Sequence, residues 1–145
     1  MKFYRLERKN QRRLDLQDSH EKLKVFYDGG CVLCSKEIDI YKRKDTSSKI
    51  DFIDIDSESF DAESFGLDPS EVHEKFHVMT PTGEVVVGVP GFAEIWATLG
   101  IFKPLQFLSA SKIGGLAMNV GYNVFVKARP FLPRKEKCET DACYR

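Results

Sequence analysis

The 145-residue sequence has no excess of charge of either sign, because its 22 lysines and arginines balance its 22 aspartates and glutamates. That balance argues against a nucleic-acid partner, which needs a broad basic surface, and against an acidic, disordered chain. The charge is nevertheless uneven, since both ends are basic and the segment 51–74 is acidic. We interpret these stretches, including Lys127, Arg129 and Arg134 near the C-terminus, as solvated faces and tails.

Neither a secretory signal peptide nor a membrane span is visible in the sequence. Residues 1–10 lack the apolar stretch of a secretory signal peptide. The longest mostly apolar run, 113–126, falls short of the about 20 residues that a span needs and contains Asn119 and Asn123. We therefore expect a cytoplasmic protein, and in that compartment paired cysteines indicate redox chemistry or metal binding rather than structural disulfides.

The sequence contains no phosphate-binding glycine loop of the Gly-x-Gly-x-x-Gly or Gly-Lys-Ser/Thr type, and no Ser–His–Asp arrangement stands out. We predict a basic arm at 1–22, a folded domain at 23–130 and a basic, cysteine-containing tail at 131–145. No bound cofactor is predicted.

The domain opens with a strand–helix–strand pattern. Residues 23–27 and 50–55 are short β-branched and aromatic runs typical of strands. Between them a helix is predicted to begin near Cys31, with Cys34, Ile38 and Tyr41 on one face and Ser35 elsewhere. Such a βαβ unit has parallel strands and a right-handed crossover.

The rest of the domain predicts a helix, a β-hairpin and further helices. The hairpin signal is Pro81-Thr82-Gly83, with glycine in the left-handed position of the turn. The order βαβ, helix, hairpin, helix is the layout of the thioredoxin fold, in the α/β (α+β) class. The predicted elements are helix 69–75, strands 76–79 and 84–87, and helices 92–99, 104–108 and 116–127.

Some apolar residues admit more than one interpretation. We predict that Phe92, Trp96 and Phe102 belong to the core rather than to a ligand site. The apolar segment 113–126 fits the core, a dimer surface or a membrane-facing helix. We favour the core, because the domain still needs a second covering helix.

The chemistry-bearing motif is Cys31-Val-Leu-Cys34, at the junction of a strand and a helix. Three residues along a helix is nearly one turn, so both sulfurs lie on the same face and can form a disulfide. Unpaired N–H groups and the helix dipole favour a thiolate at the helix start. Cys31 is therefore the predicted nucleophile and Cys34 the resolving thiol, with exchange running through a mixed disulfide on Cys31.

The run Tyr-Asp-Gly-Gly-Cys-Val-Leu-Cys at 27–34 resembles the signature of the DCC family, predicted thiol-disulfide oxidoreductases of thioredoxin-like fold. Asp28, Cys31 and Cys34 are the residues that match the Asp-Cys-Cys pattern. The resemblance extends over about residues 23 to 138 and implies a redox role. It names no substrate, so we expect a protein or a small thiol or disulfide.

The chain departs from well-known thioredoxins at two positions. Val25 replaces their buried acid, and Glu74-Lys75 occupies the place of the proline that lies against the disulfide. Asp28 is a candidate proton acceptor in place of the missing acid. It is equally a candidate to cap the helix or to fix the turn.

The other cysteines and the histidines carry weaker signals. Cys138 and Cys143 fit a second redox pair, a four-cysteine zinc site with Cys31 and Cys34, or free thiols, which we favour. His73 and His77 have i, i+4 spacing, but a helix end is predicted between them, so no metal site is assigned. The alternative to an oxidoreductase is a redox-inert or zinc-stabilised thioredoxin-like binding module.

Overall fold

A computed structural model describes residues 22–135, and a four-stranded sheet lies at their centre. The strand order is β2-β1-β3-β4, with β1 and β2 parallel and the other two pairs antiparallel. In the centre of the sheet, Val25 pairs with Phe52 on one side and with Val78 on the other. The strands are β1 (Leu23–Tyr27), β2 (Ile50–Asp54), β3 (His77–Met79) and β4 (Val85–Val87).

Within residues 22–135 five α-helices accompany this sheet, and the predicted order of elements is confirmed. The mixed α/β architecture is the thioredoxin-like fold expected from the sequence. The hairpin turn also has the predicted chemistry, since Gly83 has a φ of 87°. The helices are α1 (Val32–Lys44), α2 (Pro69–Glu74), α3 (Val89–Leu99), α4 (Lys103–Ala110) and α5 (Lys112–Ala128), with 3-10 turns at Glu63–Phe65 and Arg129–Phe131.

The start of α5 differs from the prediction by one helical turn. The helix begins at Lys112 rather than at 116, because the Ser111 hydroxyl accepts the N–H of Gly114 at 3.0 Å and caps it. A side chain at Gly114 would overlap the carbonyl of Leu108, so this glycine permits α4 and α5 to approach closely. Glycine is a weak helix former, so Gly114 and Gly115 give little local signal for this first turn.

The core lies on both sides of the sheet. On one side α1 and α3 pack against it, and the Trp96 indole N–H donates to the Tyr41 hydroxyl at 3.1 Å. Phe102 was predicted to be core and is exposed, contacting Trp96 only edge to face. The two clusters contain Leu23, Val25, Ile38, Tyr41, Ile50, Val78, Ile95 and Trp96 on one side, and Phe26, Ile55, Ala62, Leu67 and Val72 on the other.

The apolar segment 113–126 is core on one face only. Gly114 is buried and Met118 packs against the core cluster, whereas Ile113, Leu116 and Val120 are exposed. Within residues 22–135, no helix combines the length and the apolar character needed to cross a membrane.

Candidate functional site

A tight turn after β1 presents the two cysteines. The Asp28 carboxylate accepts the N–H of Gly30 at 2.9 Å, and the Asp54 carboxylate at the end of β2 accepts the N–H of Gly29 at 2.9 Å. A side chain at Gly29 would overlap the Asp54 carboxylate, so the close approach of β2 requires glycine. The turn is thereby held from both parallel strands before α1 begins.

Cys31 is the N-cap of α1. Its backbone is extended, and its Sγ accepts the N–H of Cys34 at 3.3 Å. This contact places a hydrogen-bond donor and the positive end of the helix dipole against the sulfur. Both cysteines are free thiols in the structure. The structure therefore brings Cys31 and Cys34 together, as the spacing predicted.

Cys34 lies one turn inside the helix and has different surroundings. Burial, together with the hydrogen bond and charge of Cys31, raises the pKa of the Cys34 thiol to about 12, and Arg129 opposes this only in part. The Cys34 thiol is therefore protonated at neutral pH. A thiol in this state is a weak nucleophile until a base removes its proton.

The Asp28 carboxylate is buried and binds two arginines. Its Oδ2 accepts from Arg129 at 3.0 Å and from Arg134 at 2.8 Å, and its Oδ1 accepts from Arg134 at 3.1 Å. Burial raises the pKa of Asp28, but the bonds and charges of Arg134 and Arg129 outweigh it and hold the pKa below its ordinary value. Asp28 is therefore ionised at neutral pH, with its oxygens engaged by these donors and by Gly30.

These arginines correct one part of the sequence interpretation. The basic C-terminal stretch was interpreted as solvated, but Arg129 is largely buried and also donates to the carbonyls of His73 and Glu74 at 2.9 and 3.3 Å. A buried aspartate needs a cationic partner. A buried Asp28 would therefore predict a nearby lysine or arginine, although the sequence does not say which of several basic residues is the partner.

The chain beyond Arg129 covers Cys31. We call residues 133–135 the cover segment. The Pro133 carbonyl accepts the N–H of Val32 at 3.3 Å, and the Lys135 N–H donates to the Gly30 carbonyl at 2.7 Å. Cys31 and Arg134 thus form an antiparallel bridge. Only 2% of Cys31 is exposed, and the cover segment is one of the elements that lie against it.

An apolar cleft opens beside Cys34. Phe76 and Phe92 stack with ring centroids 4.2 Å apart, and the Tyr122 hydroxyl accepts the N–H of Phe76 at 2.7 Å. Arg129 and Phe125 complete the wall next to the cysteine. The cleft offers a mostly apolar surface to a group that approaches Cys34.

Other side chains near the motif have structural contacts. Ser35, which the helical pattern placed off the buried face, is buried and donates to the Gly29 carbonyl at 3.0 Å. Val25, at the position of the thioredoxin acid, is fully buried in the core cluster. Residues 22–135 contain no cis peptide bond.

Metal ligands are not assembled in the described part of the chain. Residues 22–135 hold no group of three or more His, Cys, Asp or Glu side chains suited to a metal ion. His73 is on the surface of α2, and His77 is buried in β3 with its Nδ1 2.9 Å from the Lys75 carbonyl. The helix end predicted between them is confirmed. Cys138 and Cys143 lie outside the described residues.

Much of this chain is similar to known proteins. Residues 25–135 match a family model described as DCC1-like thiol-disulfide oxidoreductase. An uncharacterized chloroplastic protein of Arabidopsis thaliana is 34% identical over 110 residues, which are 74% of this chain and 51% of that protein. The chain therefore spans about half the length of this curated relative. No solved structure gives a significant match.

Proposed function

The chain belongs to the DCC1-like thiol-disulfide oxidoreductase family, and we propose that it exchanges disulfides through Cys31 and Cys34. The observation that carries the proposal is the N-cap position of Cys31, whose sulfur accepts the Cys34 N–H at 3.3 Å. This geometry places a hydrogen-bond donor and the N-terminal end of α1 at the Cys31 sulfur, while the raised pKa of Cys34 keeps the other thiol protonated. The two thiols thus differ in the way that a nucleophile and a resolving thiol require.

The proposed exchange has two steps. The Cys31 thiolate attacks one sulfur of a substrate disulfide, which forms a mixed disulfide and releases the other substrate sulfur as a thiolate. Cys34 then gives up its proton and attacks Cys31, which forms the Cys31–Cys34 disulfide and releases the second substrate thiol. Two electrons pass from the cysteine pair to the substrate, and the reverse sequence oxidises a dithiol.

Asp28 is best assigned a positioning role in this scheme. Its carboxylate is occupied by Arg129, Arg134 and the Gly30 N–H, and its pKa is lowered. A carboxylate in this state is a poor proton acceptor at neutral pH. We assign to Asp28 the role of holding the cysteine turn and the cover segment in place. The proton of Cys34 is transferred to the departing substrate thiolate.

Disulfide mapping after equilibration with glutathione buffers tests the proposed function. A Cys138→Ser/Cys143→Ser background leaves only Cys31 and Cys34, so that any intramolecular disulfide joins these two. We expect this disulfide to form and to disappear reversibly as the ratio of reduced to oxidised glutathione changes. Thiols that stay reduced at every ratio would favour the redox-inert binding module instead.

Access to Cys31 gives a separate prediction for the cover segment. Arg134→Ala removes two bonds to Asp28 and an ion pair to Asp56 at 3.7 Å. Because the Arg134 side chain is half exposed, we expect the free energy that holds the cover segment closed to fall by about 1 kcal/mol. Hydrogen exchange at the Val32 and Lys135 amides should then be roughly fivefold faster.

Nuclear magnetic resonance can follow those two amides together with the Val78 amide in β3, which should not change. Lys135→Ala is the matched control, because it keeps the backbone bond to Gly30 and removes only an exposed side chain. Equal exchange rates in Arg134→Ala and the unsubstituted protein would show that Arg134 does not hold the cover segment.

A further inference from the structure

The outer face of α5 is apolar where a solvent-facing helix is ordinarily polar. Ile113 is 85% exposed, Leu116 68%, Val120 56% and Val124 62%. Their spacing of three, four and four residues places them in one stripe along the helix, which we call the outer face. The neighbouring elements expose Phe107 at 82% and Phe131 at 90%. An exposed apolar stripe of this kind marks an interaction site.

The chain that forms α4, α5 and the segment after them carries charge of a single sign, although Glu94 of α3 lines a surface pocket together with Asn119 of α5. The sequence from 95 to 135 contains six lysines and arginines and no aspartate or glutamate. Arg129 and Arg134 bind Asp28, whereas Lys112 and Lys127 are exposed at the two ends of α5. Lys103 and Lys135 are also exposed. Exposed lysines therefore lie at both ends of the apolar stripe.

We propose that the outer face of α5 binds peripherally to an anionic lipid surface. Apolar side chains enter the boundary between headgroups and acyl chains, and the lysines at both ends of the helix lie against negative headgroups. A second copy of the chain fits this face less well. A two-fold contact would bring the same lysines toward one another, and the stripe has no carboxylate to pair with them.

The helix that carries the outer face is also connected to the turn that carries Cys31 and Cys34. The helix ends at Ala128, and the next side chain, Arg129, reaches Asp28 at 3.0 Å. Arg129 therefore links the end of the proposed lipid-binding helix to the turn that carries Cys31 and Cys34. The binding itself does not depend on the redox activity, so each can be tested without the other.

Vesicle flotation of the reduced full chain tests the proposal. We expect the protein to float with vesicles that contain phosphatidylserine, to bind pure phosphatidylcholine vesicles more weakly, and to lose affinity as salt is added. Replacing Lys112 or Lys127 with glutamine should lower the partition coefficient by about fivefold each. Equal binding to both vesicle compositions would overturn the assignment of an anionic surface.

Ile113→Asp is the decisive variant. An aspartate in the first turn of α5 suits the helix dipole, so the fold should be retained, while vesicle binding should fall by about tenfold or more. Val124→Asp repeats the test in the last turns of the helix. Ile40→Asp is the matched control, because it places the same charge at an exposed apolar position of α1 and should leave binding unchanged.

Two further results would contradict the proposal. One is a failure of the unsubstituted chain to bind vesicles containing phosphatidylserine. The other is a dimer in analytical ultracentrifugation that Ile113→Asp converts to a monomer while vesicle binding stays the same, which would assign the face to a second copy of the chain.

Discussion

Replacing Cys31 with serine is expected to slow disulfide exchange by roughly a thousandfold or more, to the uncatalysed background. A hydroxyl at the N-cap keeps the hydrogen bond from the Cys34 N–H, because serine is a favoured N-cap residue. The fold and the start of α1 should therefore be unchanged. What is lost is the sulfur that attacks the substrate disulfide.

Cys34→Ser gives the complementary result. The first step remains possible, so a mixed disulfide with glutathione should accumulate on Cys31 and persist because no resolving thiol is present. Single-turnover exchange with oxidised glutathione, followed by peptide mass spectrometry in the Cys138→Ser/Cys143→Ser background, measures both variants. Normal exchange by Cys31→Ser with none by Cys34→Ser would reverse the two roles and identify the more exposed Cys34 as the entering thiol.

Asp28→Asn is expected to destabilise the protein by about 2–4 kcal/mol. The amide preserves the size of the side chain and an acceptor for Gly30, but it leaves the largely buried Arg129 without its anion. The half-exposed Arg134 contributes little to this loss, because solvent screens its ion pair. Urea unfolding of the reduced protein measures the difference.

The effect of Asp28→Asn should depend on pH. Since the folded-state pKa of Asp28 lies below its ordinary value of 3.8, its ionisation stabilises the fold above that value, and the stabilisation is lost as pH falls through the lower folded pKa. The difference between the two proteins should shrink correspondingly in acid. Asp68→Asn is the control, because an exposed N-cap accepts either residue and stability should change by less than about 0.5 kcal/mol. An equally small effect of Asp28→Asn would remove Asp28 from its positioning role.

The sequence predicted the elements whose signals are local. The apolar, β-branched run of β1, the glycines that follow it and the periodicity of α1 lie within about twenty residues. Together they determine that Cys31 begins a helix and that Cys34 lies one turn later. The hairpin at Gly83 was equally predictable, because its turn chemistry is contained in three residues.

The contacts that could not be predicted from the sequence join segments that are far apart in the chain. Asp28 and Arg129 are separated by 101 positions, and no local pattern specifies which basic residue reaches the turn. The burial of Cys31 has the same origin, since the cover segment arrives from the far end of the domain. For segment 113–126 the core was favoured over a dimer surface or a membrane-facing helix, because the domain still needed a second covering helix, and only one face of α5 meets that need.

The central claim is that Cys31 and Cys34 form a working redox pair, and the most direct measurement is the midpoint of their disulfide in a glutathione titration with alkylation trapping. The proposal predicts a reversible Cys31–Cys34 disulfide with a midpoint between about −120 and −270 mV, the range of known oxidoreductases, and the value would indicate the direction of electron flow. The absence of this disulfide at every glutathione ratio would contradict the claim.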